Sequence, residues 1–159
     1  MDWLVEVGLE YKTKDHTLFL CKNYIERFLS LKKVQRSELQ LVGIAALLIA
    51  AKFYEIYPPS VEEFVYISDS TYSRQQVISM EALLLNYLRF DIIPPTSIEF
   101  FSRFCIAAKI EKNKDIVCFG SYLINLSLQE YSFAKYLPSQ IAISATILSL
   151  HTYELPIWV

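Results

Sequence analysis

The sequence predicts an all-α fold, and three observations carry that prediction. Residues 41–51, inside SELQLVGIAALLIAAKFYEIYPP (37–59), hold no polar side chain. Four segments open with Ser or Thr followed three residues later by Glu or Gln, the capping-box signature of a helix N-terminus. No segment sustains the period-two alternation of a half-buried strand, and the 159 residues include three glycines.

The apolar run sets the architecture. A helix apolar on every side has no face for water and must be enclosed by other helices. Its eleven residues fall short of the roughly 20 that span a bilayer. It therefore reads as the central helix of a soluble helical domain. Gly43, Ala45, Ala46, Ala50 and Ala51 are small enough for neighbours to approach closely, and Lys52 puts a charge at the rim of the core.

The other elements follow in chain order. Near the start, Trp3 and Val7 share a helix face at i and i+4. Asp15 can cap a helix carrying Leu18, Phe19, Tyr24, Ile25 and Phe28. Ser37 and Gln40 are expected to open the apolar helix, which Pro58 and Pro59 stop. The remaining boxes are Ser60 with Glu63, Ser73 with Gln76, and Thr96 with Glu99. Pro138 suits the first position of the last helix, where a missing N–H costs nothing. Pro94 and Pro95 precede a fresh box, so domains are expected at 1–93 and 94–159. A shift of 100 residues lays Gln40 on Gln140, Ala45 on Ala145, Leu48 on Leu148 and Phe53 on Tyr153. Lys52, however, falls on Thr152. A cation serving only the helix dipole would be wanted equally in both halves, so this asymmetry favours a functional role for Lys52.

Composition narrows the function. The formal net charge is −2, which gives no basic field to attract a nucleic-acid backbone. Cys21, Cys105 and Cys118 lack metal-ligand spacing and read as buried, reduced thiols. His16, in the polar KTKDHT connection, reads as solvated, and His151 as a core-edge residue. Gly-rich phosphate loops, HExxH and Ser/His/Asp signatures are missing. The N-terminal residues, with Asp2 and Glu6, do not read as a signal peptide. Apolar helices with scattered surface charge point to a docking module rather than an enzyme, with no catalytic residue, metal or cofactor expected and no nucleic acid or membrane partner.

Several long blocks also carry a family resemblance. LQLVGIAALLIAAKFYEIYPPSVEEFVYISD resembles the heart of a cyclin box, as do WLVEVGLEYK from Trp3, NYIERFLS from Asn23 and TYSRQQVISMEALLLNYLRFD from Thr71. WLVEVG and FVYISD fit the A type better than the B type. The resemblance runs from Asp2 to about Pro156 and implies two tandem helical cyclin boxes, the second incomplete. It implies a non-catalytic regulatory subunit of a cyclin-dependent serine/threonine kinase, acting in S phase and at the G2/M transition, in nucleus and cytoplasm. A helical scaffold or truncated isoform that does not activate a kinase is the alternative, as is a relative of the general transcription factors that share the two-box fold.

The resemblance also assigns residues. Lys52 and Glu81, a lone carboxylate inside ISMEALLLNYL, would grip the backbone of the kinase's helix C, with Ile49, Phe53, Leu85, Phe90 and Ile92 as apolar contacts. A plain intramolecular Lys52–Glu81 ion pair is the competing reading. A second patch, Trp3, Glu6, Val7, Arg36, Leu39 and Gln40, would dock Arg-x-Leu segments of substrates and inhibitors. Glu6 would meet the arginine, and Trp3, Val7 and Leu39 would receive the leucine. The competing reading makes Trp3 and Val7 ordinary core.

Three departures from the A-type pattern qualify this. Tyr54 replaces the first acid of KFEEIYPP, removing a charge near the expected contact with the kinase activation segment. The family's N-terminal helix and degradation signal have no counterpart. The chain also ends soon after the central helix of the second box. Some of Ile141, Ala145, Leu148 and Leu150 on the 138–151 helix are therefore expected to be uncovered.

Overall fold

A computed structural model describes residues 1–156. The described residues form eight α-helices and two 3-10 turns, with no strand. The chain divides into two compact units, Met1–Pro94 and Pro95–Val159.

The first unit holds α1 (Asp2–Glu10), α2 (Asp15–Leu31), α3 (Leu39–Tyr54), α4 (Val61–Ile67) and α5 (Arg74–Tyr87). Helix α3 packs against each of the other four. Every side chain from 41 to 51 is buried, so the apolar run is the unit's central helix. The stretch Arg36–Tyr54 is long and apolar enough to cross a membrane, but 61% of its most apolar window is buried inside the protein. Each buried Val, Leu or Ile of α3 contributes about 1.5–3 kcal/mol. Tyr24 and Phe28 from α2, Phe64 from α4, and Val77 and Leu84 from α5 complete this core.

Helix starts follow the capping chemistry, with two corrections. Ser60 N–H donates to Glu63 Oε2 at 2.6 Å, and Ser73 N–H donates to Gln76 Oε1 at 2.8 Å. Each serine hydroxyl in turn accepts the N–H three residues on, at 3.3 Å. The backbone N–H and hydroxyl of Ser60 together hold the Glu63 carboxyl below its ordinary range. Ser37 and Gln40, by contrast, do not open α3. Residues 36–38 form a 3-10 turn first, and the reach-back bond comes from Gln35 N–H to Glu38 Oε2, 3.4 Å. Asp15 lies in the first turn of α2, and Lys14 takes the cap position.

The second unit packs α6 (Ser97–Ala107), α7 (Lys114–Gln129) and α8 (Pro138–Thr152) against one another. Thr96 N–H donates to Glu99 Oε2 at 2.7 Å to start α6. Pro138 opens α8, where Gln140 Oε1 accepts from Leu137 N–H at 3.0 Å. Of the four α8 side chains expected to be uncovered, Leu148 is exposed and Ile141 half-buried. Ala145 and Leu150 are buried, because α6 and α7 pack along the same helix.

Three single-residue expectations are also corrected. Cys21 and Cys105 are buried, but Cys118 is exposed. The buried stripe of α7 runs through Ile116, Gly120, Ile124 and Leu128, and a residue two positions beyond Ile116 turns about 200° away. Burial pushes the Cys105 thiol up to about 11. His16 is not in a solvated connection. It lies in α2, half-buried, its ring stacked on Tyr54 at 4.8 Å. His151 is exposed in the last turn of α8.

Gly120 sets how closely α6 and α7 approach. A Cβ there would lie 2.3 Å from Cζ of Phe101, itself buried, and 2.9 Å from the Ser149 hydroxyl. Gly120→Ala is expected to destabilise the second unit by about 1–3 kcal/mol, the usual range for overpacking. Hydrogen exchange measures it: amides of α6–α8 should exchange faster in the variant while those of α3 keep their protection. Unchanged protection in α6–α8 would mean that the ring of Phe101 swings aside freely.

Candidate functional site

The C-terminal turn of α3 brings the first set of candidate residues to the surface. Lys52 Nζ lies 2.7 Å from Glu81 Oε1, joining α3 to α5. The lysine side chain is 48% exposed and the glutamate 15%. A largely buried carboxylate is costly alone, and Lys52 supplies the counter-ion of Glu81. The free chain thus contains the intramolecular pair that was the competing reading, at the edge of an apolar surface. Phe53 is 42% exposed and Phe90 65% exposed. Leu85 and Ile92 are half-buried, while Ile49, at 4%, lies beneath the surface and supports it.

Phe90 owes its exposure to how α5 ends. Arg89 and Phe90 both take left-handed backbone angles, φ 53° and 56°. The Phe90 N–H reaches back to the Leu85 carbonyl at 3.0 Å and the Arg89 N–H to that of Asn86 at 3.1 Å. This satisfies carbonyls that a helix end leaves open. Side chains from α2 then fix the outgoing segment. Tyr24 donates its hydroxyl to the Ile92 carbonyl at 2.6 Å. Arg27 donates to the Asp91 carbonyl at 2.7 Å and to Asp91 Oδ2 at 2.9 Å.

A second set of unforeseen contacts ties the exit of α3 to the start of α2. Glu55 Oε1 accepts from Lys14 N–H at 2.7 Å and from the Thr17 hydroxyl. This supplies the cap that α2 lacks in its own sequence. The signal was a negative one, since no Ser, Thr, Asp or Asn stands at position 14. Beside it, Tyr54 carries His16 on its face and the Lys14 ammonium 5.3 Å from its ring centroid. The position expected to lack a charge is thus filled by an aromatic stack.

The second candidate patch draws on α1, the 3-10 turn at 36–38 and the start of α3, with α1 and α3 in contact. Gly43 lets α1 come close, with Leu4 Cδ1 only 3.2 Å from where a Cβ would stand. Glu6, Arg36 and Leu39 are exposed, with Leu39 at 44%. Trp3 and Gln40 are half-buried. Val7, at 3%, belongs to the core, as the competing reading had it.

Tyr24→Phe tests whether α2 holds the Phe90–Ile92 segment. Loss of this bond strands the Ile92 carbonyl and is expected to cost about 0.5–1.5 kcal/mol in urea unfolding. Amides at 90–92 should also exchange faster. Equal stability and equal exchange would show that the segment stands without the bond.

Comparison with known proteins follows the same division. The family model "Cyclin, N-terminal domain" matches residues 1–93, and "Cyclin, C-terminal domain" matches residues 95–159. The chain is 48% identical to Cyclin-A2 of Homo sapiens, over 99% of this chain and 37% of that protein. It is 47% identical to Cyclin-A1 of Carassius auratus, over 99% and 40%. It is 45% identical to Cyclin-A2-1 of Oryza sativa subsp. japonica, over 97% and 32%. It therefore spans about two fifths or less of the length of these relatives. A viral cyclin from herpesvirus saimiri superposes with a TM-score of 0.85 at 21% identity, over 97% of this chain and 68% of that one, which shows the fold. With two family models covering two units of the predicted helical type, the chain belongs to the cyclin family.

Proposed function

We propose that this chain is the regulatory subunit of a cyclin-dependent serine/threonine kinase, activating it and recruiting its substrates in S phase and at the G2/M transition. The observation that carries the reading is the Lys52–Glu81 pair, with Phe53, next to Lys52 in the chain, and Phe90, just past the helix of Glu81, both exposed. Exposed aromatics provide an area whose burial drives association. The charged pair at its edge can turn to the amides and carbonyls of an arriving helix. The kinase's helix C is that helix, with Leu85 and Ile92 completing the contact and Ile49 supporting it from below. Activation follows if the chain binds the active kinase conformation more tightly than the inactive one. The chain itself performs no catalysis, and its place of action is nucleus and cytoplasm.

Substrate recruitment falls to the α1–α3 patch. Leu39 and half-buried Trp3 offer an apolar seat, and exposed Glu6 offers a carboxylate for the arginine of an Arg-x-Leu segment. Arg36 and Gln40 border the seat, and buried Val7 supports it.

Capture of a kinase subunit from extract, with phosphorylation of a histone-type substrate by the complex, tests the reading as a whole. Capture without phosphorylation would make the chain a scaffold rather than an activator. Lys52→Ala and Glu81→Ala are each expected to weaken kinase affinity by about 1–3 kcal/mol, since each leaves a buried interface group unpaired. Circular dichroism should remain helical in both. Full affinity in both variants would remove Lys52 and Glu81 from the interface.

Trp3→Ala should depress phosphorylation of Arg-x-Leu substrates more than that of short peptides lacking the segment. Loss of an indole from a small docking patch typically costs about 2 kcal/mol or more. An equal loss on both substrate types would make Trp3 a core residue only.

A further inference from the structure

A cleft of about 610 Å³ opens where the end of α2 meets the end of α5. Its walls include Leu31, Tyr87 and Leu88, with Arg27, Arg89 and Asp91 among its polar groups. Leu31 is 60% exposed and Tyr87 38%, so two large apolar side chains line it within reach of solvent. The volume lies in the range of small-ligand and side-chain pockets.

The charges around the cleft do not balance. Arg27 is bonded to Asp91 and Glu26 pairs with Lys22, so these four leave no net charge. Arg89 has no carboxylate partner among the described residues. Neither has Lys32, whose ammonium stands 5.7 Å from the ring centroid of Tyr87, over the cleft wall. Two positive charges thus remain beside an apolar floor, in a chain whose net charge is −2. Local charge of opposite sign to the molecule selects its partner by complementarity.

We propose that this cleft docks an acidic segment of a partner protein, with one aliphatic or aromatic side chain against Leu31 and Tyr87 and flanking carboxylates beside Arg89 and Lys32. The cleft shares no residue with the proposed kinase surface or the Arg-x-Leu patch. Arg89 and Asp91 alternate in the chain with Phe90 and Ile92 of the proposed kinase surface, so the proposal is tested by peptide binding to the free chain, with no kinase present.

Arg89 gives a decisive variant. At φ 53° a glycine is less strained than an arginine, so Arg89→Gly removes the charge while relieving the backbone. The probe is a fluorescein-labelled short peptide with one leucine between two runs of aspartate and glutamate, titrated with the full chain by anisotropy. Saturable binding is expected, weakening several-fold as salt rises from about 50 to 200 mM. Arg89→Gly should lose about tenfold or more in affinity with an equal or higher melting temperature. Arg89→Lys should stay within about threefold of the original. Should the glycine variant melt early, Arg89→Gln carries the same comparison. Absence of saturable binding, unchanged affinity after loss of Arg89, or equal affinity for a lysine-rich peptide of the same length would each overturn the proposal. Equal competition by free inorganic phosphate and by the unlabelled peptide would also overturn it, because the apolar anchor would then contribute nothing.

Discussion

The constraint on which the first unit depends is that α3 has no surface. With residues 41–51 all buried, the helix must be enclosed, and α1, α2, α4 and α5 are arranged by that requirement. A bundle built around one enclosed helix reaches the surface only where that helix leaves the core. Lys52 marks that exit, and the side chains there inherit a rigid base. Ile49, one turn earlier and 4% exposed, joins the core to the surface formed by Phe53 and its neighbours. Precision at such a site comes from the packed helix beneath it.

The exits from α3 and α5 are secured by long-range polar bonds. Glu55, just past α3, serves as the missing cap of α2. Tyr24 and Arg27, on α2, hold the chain just past α5. One helix therefore braces both segments that carry candidate contacts. These bonds satisfy backbone groups that would otherwise cost about 1–3 kcal/mol each if buried unpaired. A loop stripped of them would be free to fold Phe90 back onto the core.

The legible part of this protein was the local part. The enclosed helix followed from residues 41–51 alone. The helix starts at Ser60, Ser73, Thr96 and Pro138 depend on residues three or fewer apart, and the structure has them all. The start of α3 was misread because two overlapping pairs compete, Ser37 with Gln40 and Gln35 with Glu38. Sequence spacing does not rank them, and the 3-10 turn decides. Glu55 capping α2 was illegible because its partners lie 38 and 41 positions away. Cys118 was misread because an apolar pattern identifies a helix more readily than the phase of its buried stripe. Lys52 and Glu81 stood out as charges interrupting apolar runs, yet their pairing in the free chain needed coordinates.

That pairing matters for the energetics of any surface here. A glutamate 15% exposed and a lysine 48% exposed form a pair of modest net worth, in the range of about 0–1 kcal/mol for accessible ion pairs. Its larger effect is on what each partner would cost alone. Without Lys52, Glu81 would be a largely buried carboxylate lacking its counter-ion, which is the costly state for a charged group. An approaching partner then meets charges already desolvated on one side and fixed by the helices beneath them, so little side-chain freedom remains to be lost. In the proposed kinase contact, affinity would come from the exposed rings of Phe53 and Phe90, and the Lys52–Glu81 pair would set register.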